Sequence, residues 1–175
     1  MHPLDYGMRF DDPVERMLSF HRRLERQLAA FARLPAHLES SGMGAEASAA
    51  AAGLLHCFGE ASARHHAEEE LDLLPMLERR ITRSRERDEF RALREDLHAD
   101  HRELQGQWRS LRRPLEAMAE GLQRRLPMDE IQRFRALCTA HISAEEASLH
   151  VLAHRHLLPD DRAVLAQRIA QRRAA

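Results

Sequence analysis

Three observations predict an all-α protein, an antiparallel up-down-up-down four-helix bundle with a short C-terminal helix. Ala, Leu, Arg and Glu dominate the 175 residues, while β-branched residues, Gly and Pro are few. That mixture favours helix over strand. Apolar residues recur at alternating steps of three and four, the spacing of a buried helical seam. Start and stop signals divide the chain into four long stretches with short connections, as in a bundle of antiparallel neighbours. The length fits one domain, 1–175, with the bundle over about 12–156 and the last helix over about 160–173.

The elements follow in order. Asp12-Pro13-Val14-Glu15 reads as a helix start, with Asp as N-cap and Pro in the first turn. This first helix is expected to reach about Leu34, where Pro35 disturbs it. Glu39 to Gly44 is the clearest loop. A second helix covers Ala45 to about Ile81, and a charged connection near Thr82 to Arg87 leads to a third, about Asp88 to Leu122. Pro114 marks a kink or early end there. Leu126-Pro127-Met128-Asp129 opens a fourth helix reaching about His156, and Pro159-Asp160-Asp161 opens the last.

Composition excludes some function classes. The formal net charge is −1, so no global field attracts nucleic acid or anionic lipid. Arg22-Arg23 and Arg112-Arg113 read as solvated helix faces, which leave room for an unidentified protein partner. Met1 to Phe10 has no apolar core of signal-peptide length, and no later stretch is apolar enough to span a bilayer. Cys57 and Cys138 make no disulfide framework. The expected compartment is the cytoplasm.

Twelve histidines are many for this length, and their placement matters. On the first helix the stripe is Val14, Met17, His21, Leu24, Leu28 and Phe31. On the third it is Phe90, Leu93, Leu97, His101, Leu104, Trp108 and Leu111. Each has a single histidine in an apolar seam. The second helix gives Leu55, Phe58, Ser62, His65, Glu69, Leu73 and Met76, and the fourth gives Phe134, Cys138, His141, Glu145, Leu149 and Leu152. Each of these adds a histidine and a glutamate one turn apart. Any one such histidine alone reads as a core residue satisfied by a hydrogen bond. Two interior glutamates are different, because burying an ionised carboxylate without a partner costs several kcal/mol or forces protonation.

No Lys or Arg lies on these stripes to neutralise them. Two cations would satisfy all six groups, keeping the carboxylates ionised and the imidazoles neutral. The four-residue spacing puts each His–Glu pair on one helix face, so the histidine ligates one metal while the carboxylate reaches a second. Mixed imidazole and carboxylate ligation suits iron, with manganese or zinc as the other candidates. The set leaves room for an oxo or hydroxo bridge and a small exogenous ligand. His66 and Glu70 share the four-residue spacing, so the register on the second helix stays open. Stripe position favours His65 and Glu69, because Phe58 and Met76 fall on their side. Glu146 is expected to face a neighbouring helix or solvent. His98, His150, His154 and His156 read as surface residues or as partners of the ligand imidazoles, with His98 the best of them. The two cysteines read as small apolar packing residues.

The runs HHAEEELDLLPML and HISAEEASLHVL, each preceded by a helix carrying one histidine, resemble the hemerythrin-like cation-binding family over roughly Asp12 to His156. The resemblance implies His21, His65, Glu69, His101, His141 and Glu145 as ligands of two non-haem irons. Activities in that family include reversible oxygen binding, oxygen or nitric oxide sensing, iron handling and repair of iron centres. Oxygen carriers have a fifth histidine four residues from another on the third helix, whereas this chain has His98 and His101 three apart. It thus looks more like the six-ligand repair and nitric-oxide-responsive members, although it lacks the adjacent N-terminal cysteines usual in repair proteins. Val151 stands where the family often has Pro.

The expectation is a di-iron protein binding oxygen, nitric oxide or peroxide, in sensing, scavenging or repair under oxidative or nitrosative stress. Two other readings stay open: a metal-storage or delivery protein without turnover, and a purely structural helical module. No catalytic residue is assigned.

Overall fold

The computed structural model describes residues 12–123 and 125–174, so the signal-peptide reading of Met1 to Phe10 lies outside the described residues. These residues form five helices and no strand. Helix α1 is Pro13–Ser41. Helix α2 is one continuous rod, 45–80, with π turns at Cys57–Ala61 and Glu69–Leu73. Helix α3 is Ser84–Ala119. Helix α4 runs 128–156 with a π turn at Glu145–Leu149, and α5 is Pro159–Ala174. No described helix is long and apolar enough to cross a membrane.

Asp12 caps α1 as its residue type dictates, its carboxylate accepting from the Val14 amide at 2.9 Å. The helix does not stop at Pro35. Proline forfeits one backbone hydrogen bond, but Phe31, Leu34 and Leu38 around it pack into the core, and their burial outweighs that loss. The chain breaks only at Gly42, whose φ of 73° requires glycine, so the expected loop from Glu39 shrinks to Gly42–Gly44. Pro114 is carried the same way by Leu111, Leu115 and Met118, all buried. Helix α3 starts four residues before the expected Asp88. The Arg87 guanidinium donates to the Ile81 carbonyl at 3.2 Å, which satisfies the end of α2 and permits the shorter connection.

Helices α1, α2, α3 and α4 surround one interior. Polar side chains cut that interior into two apolar clusters. One is built around Leu24, Phe31, Phe58, Trp108 and Phe134, the other around Met17, Leu77, Phe90, Leu97 and Leu149. In α1, His21 falls between Met17 and Leu24; in α3, His101 falls between Leu97 and Leu104. The dividing layer is therefore made of the very residues that interrupt the stripes.

Helix α5 closes the second cluster with Leu165 and Ile169, both fully buried. It also brings cations to two buried carboxylates of α2. Arg173 donates to both oxygens of Glu68 at 2.8 and 3.0 Å, and Arg172 donates to Asp72 at 2.9 Å. A buried carboxylate persists ionised only with such a partner.

Candidate metal centre

Two backbone events aim the layer's side chains. Glu69 and Glu145 each open a π turn, four residues after a histidine. A π turn spreads one extra residue over the same rise, so side chains that an unbroken α-helix would fan outward stay on the interior face. On α2, His65 and His66 lie on the regular turn Ser62–Glu68 that precedes Glu69, and both are buried. The choice between two registers therefore does not arise: both imidazoles are inside, Glu69 is fully buried, and Glu70 is half-buried. On α4 the π turn brings His150, five residues beyond Glu145, into the interior.

The layer contains two groups with ligand atoms within 4.8 Å of one another, His21–His65–Glu69–Glu145 and His66–His101–His141. All six residues expected from the stripes are in it, and His66 joins them. The Nε2 atoms of His21 and His65 are 2.9 Å apart. His21 Nε2 lies 3.1 Å from Glu145, and His65 Nε2 lies 3.2 Å from Glu69. Across the layer, His101 Nε2 is 3.6 Å from Glu69 and 3.5 Å from Glu145, and His141 Nε2 is 3.2 Å from Glu145. Each carboxylate thus reaches histidines of both groups.

The imidazoles are oriented from behind. His101 Nδ1 donates to Glu70 at 2.6 Å, and His21 Nδ1 donates to Glu146 at 3.3 Å. His141 Nδ1 lies 3.5 Å from Asp100. A carboxylate at Nδ1 sets the tautomer and leaves the Nε2 lone pair pointing inward, as a metal ligand needs. Glu70 and Glu146 each directly follow an inward glutamate, Glu70 as the last of the run Glu68-Glu69-Glu70 and Glu146 as the second of the pair Glu145-Glu146. Each reaches a histidine of the other half of the chain. The adjacent glutamates were a legible signal for this pairing; Asp100 had none.

The remaining histidines divide sharply. His150 is buried and stacked on His21, with ring centroids 5.0 Å apart and planes 12° from parallel, and neither nitrogen has a hydrogen-bond partner. His66 stacks on His101 at 3.9 Å. His98 touches no ligand imidazole; it lines a polar surface pocket with Glu70 and Arg102. His154 and His156 sit outside, beside Glu15 and Glu86.

The electrostatics of the bare layer do not balance. Burial, and then the neighbouring Glu145, push the Glu69 carboxyl well above the usual range. Burial works the same way on Glu145, but the imidazoles of His101, His141 and His21 facing it outweigh burial and hold that carboxyl well below the range. Burial lowers His65 and His66 strongly, and lowers His150 to about 4. Burial opposes protonation of His141 too, yet Glu145 and Asp100 raise its pKa. Both Glu69 oxygens, Glu145 Oε2 and both His141 nitrogens are buried without a hydrogen-bond partner. Inward-facing imidazoles around orphaned carboxylate oxygens are the donor set of a cation site, and cations supply what the protein groups cannot give each other.

An all-helical scaffold with a buried histidine–glutamate layer defines a cation-binding helical protein. The family model described as Hemerythrin HHE cation binding domain matches residues 12–153, and the chain belongs to that family. No curated protein matches the chain.

Proposed function

We propose that the layer holds two cations, iron in the working protein, and binds oxygen, nitric oxide or peroxide in sensing, scavenging or iron-centre repair in the cytoplasm. The observation that carries this reading is that Glu69 and Glu145 each lie within about 3.6 Å of histidines from both groups, the placement of bridging carboxylates. Two iron ions supply ligation of a diatomic molecule or peroxide together with electron exchange.

The chain's own residues do the rest. His21 and His65 serve one cation, His101 and His141 the other, and His66 adds a third imidazole to the second group. Glu70, Glu146 and Asp100 hold ring orientation, and the apolar clusters on either side exclude water. The scaffold supports reading α1 to α4 as an up-down-up-down bundle. Ser48, near the start of α2, donates to the Met118 carbonyl near the end of α3, and Arg94, near the start of α3, pairs with Glu78 near the end of α2. The single unit 1–175 then consists of the bundle plus α5.

The test is metal content per chain after anaerobic purification without added metal, with absorption spectra before and after air. About two irons and a near-ultraviolet ferric carboxylate spectrum support the proposal. Two zinc or manganese ions keep the site and remove the iron chemistry. No metal after reconstitution overturns it. Iron without any turnover or ligand binding would favour storage or delivery instead.

A further inference from the structure

A cavity of about 300 Å³ opens beside the His66–His101–His141 group. That is the low end of the roughly 300–1,000 Å³ range of small-molecule sites. Its walls are mainly apolar, and three are aromatic. Phe58, Trp108 and Phe134 surround it with ring centroids 5.2 to 5.7 Å from one another, Phe58 and Phe134 edge to face. His66 and His141 line its inner end. Gln105 and Arg109, both exposed, line its mouth.

One wall of the cavity departs locally from the α-helix. The π turn Cys57–Ala61 has no counterpart in α4, which is unbroken α-helix over Met128–Ala144. The turn carries Gly59 on the cavity wall, where an added Cβ would meet Trp108 Nε1 at 3.8 Å. Glycine thus leaves open a space that any longer side chain would fill. The mouth has a charge to match. Arg112, one turn further along α3, pairs with Glu116, whereas Arg109 has no ion-pair partner among the described residues.

We propose that this cavity is a binding site for a small aromatic carboxylate. Its ring lies among Phe58, Trp108 and Phe134, and its carboxylate meets the Arg109 guanidinium at the mouth. Aromatic walls favour a flat ring through edge and face contacts. A guanidinium facing a carboxylate adds a charge-assisted, geometrically specific hydrogen bond. Bound this way, the molecule's inner edge faces His66 and His141.

The test is calorimetric titration of the metal-loaded protein with 1-naphthoate and with its neutral isostere 1-naphthamide, with metal content measured for every variant. The expected result is naphthoate binding about tenfold or more tighter than naphthamide, the ratio of a charged over a neutral hydrogen bond. Arg109→Gln, a surface change, is expected to erase that preference and leave naphthamide affinity unchanged. Gly59→Leu is expected to abolish binding of both probes at full metal content. Equal affinity for the two probes, an unchanged preference in Arg109→Gln, or no heat from either probe up to millimolar concentration would overturn the proposal. The readout is binding and not redox chemistry, so a protein that takes up no metal on reconstitution yet still binds naphthoate would refute the di-iron reading and keep this one.

Discussion

The two histidine groups share one plan and differ in their surroundings. At His21, Glu146 backs the ring, and His150 stacks on it from inside. Around His66, His101 and His141 the interior opens into the aromatic cavity, and two carboxylates, Glu70 and Asp100, stand behind the rings. The repeated elements are those that ligation demands: one histidine on an odd helix, a histidine and glutamate one turn apart on an even helix, and a π turn at the glutamate. The unrepeated elements concern access and support. A twofold histidine–glutamate frame thus has one side covered by His150 and one side that meets the cavity.

The largest effect is expected where the two groups meet. Glu145→Ala removes a carboxylate within reach of His21, His101 and His141, so both cations should be lost. His101→Ala should cost most of the bound metal, while His98→Ala should change little, as metal analysis of the purified variants will show. A loss of only one cation in Glu145→Ala would mean the carboxylate does not bridge. Chelation of the intact protein should lower its melting temperature, because a ligand bound only by the folded state stabilises it.

Next come the carboxylates behind the rings, which sharpen the contrast between the groups. Glu70→Ala should weaken the His101 side and Glu146→Ala the His21 side, each by about 10- to 100-fold in metal affinity. Competition titrations with a chromophoric chelator distinguish the two sites. Equal weakening of both cations by either change would show that the groups do not act separately.

The arginines of α5 divide their support: Arg172 and Arg173 reach buried carboxylates of α2, while Arg162 pairs with Asp12 at the start of α1 and donates to the Ala153 carbonyl of α4. Arg173→Ala leaves the buried Glu68 without its bidentate partner. Because Arg173 is itself partly exposed, the cost should be about 2 kcal/mol, or about 4–8 °C in melting temperature for a domain of this size. A melting curve of the metal-loaded variant measures it, and no shift would mean that solvent replaces the pair.

The smallest effect concerns the thiols flanking the open side. Burial pushes Cys138 up to about 12, with Cys57 adding to it, and burial raises Cys57 against the pull of Arg23. Neither thiol should react with a disulfide reagent near pH 8 until denaturant is added, since the thiolate is the nucleophile. The sign at alkaline pH follows: above about 9 the unfolded Cys138 ionises while the folded one stays protonated, so stability falls as pH rises from there toward 12. Rapid labelling of the folded protein would place a thiol closer to solvent than it stands.

Much of this was legible in the residues. A lone histidine in each of two apolar seams, and a His–Glu pair in each of two others, located the layer, because buried ionisable groups without counter-charges demand an explanation. The helix ends were less legible. Pro35 and Pro114 read as breaks, and only the packing of Leu34, Leu38, Leu111 and Leu115 explains why the helices run through them. The π turns were invisible to a stripe counted at 3.6 residues per turn. For that reason His66 and Glu70 looked like a rival register, and His150 was left between a surface residue and a partner of a ligand imidazole.

Sequence alone determined the helical class and the histidines and glutamates that share the buried layer, with their order along the chain, since periodicity and the cost of burying charge are local properties of residues. Tertiary structure decided which imidazoles meet, which carboxylates stand behind them, that α5 neutralises Glu68 and Asp72, and that one side opens to a cavity. Those outcomes depend on a single extra residue in a helical turn and on packing between distant segments, and neither is written in the spacing of any one helix.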